Sequence, residues 1–168
     1  PRKNMGMVLQ AFMAMPKAVR RQHPLVIVGM TGWHASPLEK LMSPLLAAGE
    51  IIQLGYLTRQ ELIHVTSSAS AMVYPSLYEG YGLPPLEDMA CGVPVIASNV
   101  TSLPEVVGET GLLVDPLNPD AISQAMQTMT QAPELRAAYS QQALLRSRQF
   151  NWHKCQQETI GVYRAALA

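Results

Sequence analysis

Five short apolar runs recur along the chain, each bounded by Gly, Pro or a small polar residue. They are Leu25-Val26-Ile27-Val28-Gly29, Ile51-Ile52-Gln53-Leu54-Gly55, Ala71-Met72-Val73-Tyr74-Pro75, Pro94-Val95-Ile96-Ala97-Ser98 and Gly111-Leu112-Leu113-Val114-Asp115. Runs of this length, rich in β-branched residues, predict strands covered on both faces. Helical spacing fills the intervals. Met5, Val8, Leu9 and Phe12 repeat at the period of one helix face. Thr58-Arg59-Gln60-Glu61 reads as a capping box ahead of a periodic stretch through Val65. Pro84 opens a helix that ends near Cys91, with Gly92 as its stop. Asn118-Pro119 starts another, Pro133 divides it from the next, and Asn151 caps a last helix running toward Ala165.

Strand–helix alternation predicts an α/β fold, a Rossmann-like doubly wound parallel sheet in a single domain. In such sheets ligands bind outside the carboxyl ends of the strands. The loops at 29–37, 55–58, 75–84 and 98–104 are therefore the expected walls of a site. A length of 168 residues suits one core.

Charge and composition narrow the function. The formal net charge is zero, without the basic excess that nucleic-acid binding requires. No apolar run reaches the roughly 18–20 residues that span a bilayer. Pro1-Arg2-Lys3-Asn4 does not read as a signal peptide. The two cysteines, Cys91 and Cys155, are far apart, which argues against a disulfide framework or a structural zinc and for a reducing, cytoplasmic compartment. A start at Pro1 rather than Met leads us to expect a piece cut from a longer protein.

The segment Tyr78-Glu79-Gly80-Tyr81-Gly82-Leu83-Pro84-Pro85-Leu86-Glu87 carries the most chemistry. It joins a predicted strand to a predicted helix. Its glycines permit positive φ and close ligand approach. The amides of Tyr81, Gly82 and Leu83 fall just ahead of a helix N-terminus, where free donors and the helix dipole favour an anion such as phosphate. Glu79 precedes the glycines and Glu87 lies about one turn into the helix. A carboxylate accepts paired hydrogen bonds from a vicinal diol, and both sugars and riboses offer one. From spacing alone, a plain strand–turn–helix connection with solvated glutamates is an equal alternative.

Residues 79–97, Glu-Gly-Tyr-Gly-Leu-Pro-Pro-Leu-Glu-Asp-Met-Ala-Cys-Gly-Val-Pro-Val-Ile-Ala, closely resemble the signature of family 4 retaining glycosyltransferases: Glu, seven residues, Glu. The likeness continues through Arg2-Lys3-Asn4, the Leu25–Gly29 run, Leu54-Gly55-Tyr56-Leu57, Pro104-Glu105-Val106-Val107, Gly111–Val114 and Phe150-Asn151-Trp152. The resemblance implies one half of a GT-B fold. Residues 1–168 would be the C-terminal nucleotide-sugar-binding domain, and the N-terminal acceptor domain would lie outside this chain. It implies that Arg2 and Lys3, with the amides of Gly82 and Leu83, bind the donor diphosphate. Glu79, Tyr81, Gly82 and Leu83 would hold the transferred sugar. Glu87, Gly29 and Leu57 would border ribose and base. No catalytic acid, base or nucleophile is assigned in this chain.

The resemblance further implies a metal-independent transferase with no cofactor beyond its nucleoside-diphosphate-sugar substrate. The flavour of the motifs suggests GDP-mannose, ahead of UDP-sugars, and bacterial surface-polysaccharide synthesis. Expected partners are the donor and the N-terminal domain, with no nucleic acid. That domain would carry any peripheral association with the inner face of the cytoplasmic membrane. A nucleotide-sugar epimerase of the same architecture and a non-catalytic Rossmann-like regulatory module are the alternatives.

Other residues take ordinary readings. His23, His34, His64 and His153 are surface or satisfied histidines, with His34 the one in a candidate loop. Trp33 is read as partly core-packed rather than stacked on a base. Ser98 and Thr101 are read as loop residues, although they sit at a strand end near the cleft. Asn99-Val100-Thr101 matches a glycosylation acceptor, but no secretion signal supports its use. Arg136, Arg146 and Arg148 are read as a solvated helical face, and the methionines as core fillers.

Overall fold

The computed structural model describes residues 2–29 and 36–167, the side chain of Ser36 excepted. Trp33, His34 and most of the 29–37 loop lie outside the described residues. The order is α1 (Met5–Ala14), α2 (Lys17–Gln22), β1 (Leu25–Val28), α3 (Ser36–Ala47), β2 (Ile51–Gly55), α4 (Arg59–Ser67) and β3 (Met72–Tyr74). Then come α5 (Leu83–Ala90), β4 (Val95–Ser98), α6 (Leu103–Val107), β5 (Leu112–Val114), α7 (Pro119–Gln131), α8 (Pro133–Ser147) and α9 (Trp152–Ala166).

All five expected strands form, and every pairing is parallel. They pair as two sheets, β1-β2 and β3-β4-β5, rather than as one. β1 and β3 share no ladder, but both sheets rest on one apolar layer. Leu25 and Ile27 of β1, Ile51 of β2, Val73 of β3, Ile96 of β4 and Val114 of β5 all pack into a core with Leu9 and Phe12 of α1 and Ile122 and Met129 of α7. The opposite face of the three-stranded sheet is also covered. Val95 and Ala97 alternate away from Ile96 and meet Met89 of α5, Leu103 and Val106 of α6 and Ala143 of α8. Helices on both faces of parallel strands make this part of the chain doubly wound.

Coverage on both faces fails for β1 and β2. Val26, Val28, Ile52 and Leu54 are each about 40 % exposed. α4, the helix following β2, likewise buries none of its residues.

Three helices escaped the sequence reading: α2, α3 and α6. Two arginines also depart from the solvated face expected of them. Arg146 donates from Nε to Val106 O at 2.6 Å and from Nη2 to Glu105 O at 2.6 Å, satisfying carbonyls at the end of α6. Arg136 donates to Met129 O at 3.1 Å, near the end of α7. A long basic side chain on α8 reaches carbonyls that a short helix cannot satisfy itself. Arg148 is exposed, as expected.

Candidate functional site

The site gathers where the carboxyl ends of β3 and β4 meet the start of α1. Asn4 adopts φ 57° and sends its side-chain amide to Pro75 O at 3.0 Å and Pro116 O at 2.7 Å. Leu77 N donates to Arg2 O at 3.0 Å. These bonds tie residues 2–4 across the ends of β3 and β5 and place Arg2 and Lys3 over the 75–84 loop.

Glu79 is the centre of this cluster. It is only 8 % exposed. Its Oε1 accepts from the Tyr74 hydroxyl at 2.8 Å and the Ser76 hydroxyl at 3.0 Å, with Lys3 Nζ at 3.6 Å. Arg2 pairs with Oε2. Lys3 also stands 4.1 Å above the centre of the Tyr74 ring, a cation–π arrangement. Burial pushes the Glu79 carboxyl up, but the Arg2 and Ser76 hydrogen bonds and the charges of Lys3 and Arg2 together hold it below its ordinary value. It is therefore a carboxylate at neutral pH. The loop after β4 completes its setting: Glu79 N donates to Thr101 Oγ1 at 3.2 Å and Ser102 Oγ donates to Glu79 O at 3.0 Å. Thr101 has φ 59°, an unusual angle for a β-branched residue.

The glycine turn supplies the opposite wall. Gly82 caps α5 with φ 103°. A Cβ there would lie 2.8 Å from Leu103 Cδ2, so glycine permits both the angle and the contact with α6. Pro84 and Pro85 follow in the first turn and carry no N–H. The crown of donors thus narrows to the amides of Tyr81, Gly82 and Leu83, none of which has a protein acceptor among the described residues. A cavity of about 250 Å³ opens at this turn. Arg2, Lys3, Tyr74, Glu79, Tyr81, Gly82, Leu83 and Pro84 line it. Free amides at a helix start and two cations on one cavity suit an anion.

The structure thus brings together Arg2, Lys3, Glu79, Tyr81, Gly82 and Leu83. Glu87 is exposed on the next turn of α5, outside the cavity lining, and its carboxylate makes no hydrogen bond or ion pair among the described residues. Gly29 and Leu57 lie at the ends of β1 and β2, where Gly29 N donates to Gly55 O at 2.7 Å, and they do not line this cavity. Sequence reasoning missed Tyr74, Ser76 and Ser102 and undervalued Ser98 and Thr101. The available signal was polar residues at the ends of apolar strands: Ser98, fully buried, must find a partner and donates to Ser76 O at 2.7 Å. Among the described residues, no group of three or more His, Cys, Asp or Glu could hold a metal ion. None of the described helices is long and apolar enough to cross a membrane.

Comparison with known proteins decides the family. Residues 1–146 match the pattern described as glycosyl transferases group 1. The chain belongs to this family. It is 43% identical over 164 residues to the O-antigen chain mannosyltransferase B of Escherichia coli, covering 98% of this chain and 43% of that protein. Among solved structures it resembles the sucrose-phosphate synthase of Thermosynechococcus elongatus, with a TM-score of 0.83 and 28% identity over 99% of this chain and 43% of that one. The Anabaena protein Alr3699/HepE, solved in complex with UDP-glucose, shares the fold with a TM-score of 0.83 at 19% identity, over 98% of this chain and 46% of that one. The chain therefore spans less than half the length of these relatives. Both its family and its structural neighbours are glycosyltransferases, and the described fold is one α/β half of their GT-B architecture.

Proposed function

We propose that residues 1–168 form the C-terminal nucleotide-sugar-binding domain of a retaining glycosyltransferase. The protein would move a hexose, mannose in our reading, from a nucleoside-diphosphate sugar to a glycan or lipid-linked acceptor in bacterial surface-polysaccharide synthesis. The observation that carries this reading is that Arg2, Lys3 and three residues with unpartnered amides line one small cavity. The likeness to an O-antigen mannosyltransferase over nearly the whole chain supports the sugar and the pathway class.

In this reading the diphosphate lies between Lys3 and the amides of Gly82 and Leu83. Departure of the nucleoside diphosphate builds negative charge on the β-phosphate, which those donors would stabilise. Glu79 takes hydroxyls of the sugar, next to Tyr81. Glu87, whose carboxylate is free among the described residues, takes the ribose diol, and Gly29 and Leu57 border the base. The cavity is smaller than the roughly 300–1,000 Å³ of a complete ligand pocket, which suits the sugar–phosphate portion, with the nucleoside running on toward β1 and β2. The acceptor and its activating groups are assigned to the N-terminal domain of the same protein, which would also carry any contact with the cytoplasmic face of the membrane. The reaction is read as metal-independent.

Calorimetric titration with GDP, UDP, ADP and their sugar nucleotides tests the proposal. GDP and GDP-mannose should bind best. Binding by none of the panel to folded protein would refute it.

A further inference from the structure

The four side chains around the Glu79 carboxylate fall into two classes. Arg2 and Lys3 are about half exposed, with side chains 52% and 49% accessible. Tyr74 and Ser76 are buried, at 6% and 0%. Both buried hydroxyls donate to the same oxygen, Oε1. Arg2 takes the other. A ligand diphosphate competes for the exposed cations and cannot compete for the buried hydroxyls. Once the cations turn to phosphate, Oε1 stays held and Oε2 is the oxygen left open.

The Tyr74 side chain also reaches both halves of the cluster. Its hydroxyl is on Glu79 and its ring face lies under the Lys3 ammonium. It is anchored in the core beside Met89 and Leu103, and it has only two side-chain torsions. We propose that Tyr74 is a positioning residue of the donor site: it fixes Glu79 through Oε1 so that Oε2 meets the sugar, and it supports Lys3 for the phosphate. The inference rests on the donor-binding reading given above.

Tyr74→Phe removes the hydroxyl and keeps the ring. Tyr74→Leu removes both. The dissociation constants of GDP and GDP-mannose, measured by calorimetry on wild type and each variant, separate the roles. A lost hydrogen bond to a carboxylate corresponds to about tenfold. In Y74F, GDP-mannose should bind about tenfold more weakly while GDP stays within about twofold of wild type. In Y74L, GDP should weaken as well. Ser76→Ala should change the ratio of the two constants in the same direction as Y74F. That ratio does not depend on the folded fraction, so a loss of stability cannot imitate the result. An unchanged ratio in Y74F would overturn the role of Tyr74 while leaving the donor site intact. Wild-type protein that binds neither GDP nor UDP, with or without sugar, would overturn the donor site and this inference together.

Discussion

Asp88 offers a perturbation whose size follows from its surroundings. It lies on α5 directly after Glu87 and is only 8 % exposed. Burial pushes its carboxyl up from 3.8 to about 6, against a hydrogen bond from Thr66 and with help from the Glu87 charge. A raised value means that the folded state prefers the protonated acid. The stability associated with this preference is complete below 3.8 and is lost as pH rises through about 6. The gap corresponds to about 3 kcal/mol at about 1.4 kcal/mol per tenfold. Asp88→Asn removes the charge and keeps an oxygen for Thr66. It should therefore stabilise the protein by up to about 3 kcal/mol at pH 8 and by less than about 1 kcal/mol at pH 4. For a domain of this size each kcal/mol moves Tm by about 2–4 °C. Thermal melts of both proteins at the two pH values measure the difference. Equal shifts at pH 4 and pH 8, or destabilisation at pH 8, would show that the folded state does not favour the protonated Asp88.

Two further perturbations probe the frame. Glu50 is 1% exposed and is held by Arg20 at 2.7 Å, with Arg21 Nε at 3.8 Å. Arg20→Met leaves that charge buried with, among the described residues, only the exposed Arg21 nearby, and urea unfolding should show a loss of about 3–5 kcal/mol, partly recovered in the Arg20→Met/Glu50→Leu double variant. Gly82→Ala meets both φ 103° and the Leu103 side chain, so melting should reveal a loss of about 1–3 kcal/mol. The same variant should bind GDP more weakly, because the amides of Gly82 and Leu83 move with the turn.

The strands were legible because Gly and Pro bound each apolar run, and caps were legible where a side chain satisfies the helix start. Thr58 and Glu61 form the reciprocal box. Asn118 Oδ1 accepts from Asp120 N and Ala121 N, and Asn151 Oδ1 from Lys154 N. The missed helices lack such signals. α6 is only five residues long and its N-cap Ser102 makes no side-chain cap, and α3 contains Pro44. Both depend on tertiary partners, Arg146 for α6 and the α1–β2 core for α3. The split into two sheets was equally invisible, since periodicity predicts strands but not which edges meet. At the site, the glycine turn and its two glutamates stood out by motif. The hold on Glu79 by Tyr74 and Ser76 did not, because it depends on the 75–79 loop folding back over the end of β3.

Glu79 and Glu87 divide the donor between them, sugar to one and ribose to the other, in the proposed site. This division is tested by titrating GDP and GDP-mannose into Glu79→Ala and Glu87→Ala. Loss of Glu87 should weaken both ligands alike. Loss of Glu79 should weaken GDP-mannose alone, and GDP should bind at least as well as to wild type because Arg2 and Lys3 are released from their carboxylate. Equal losses for both ligands in both variants would contradict the account.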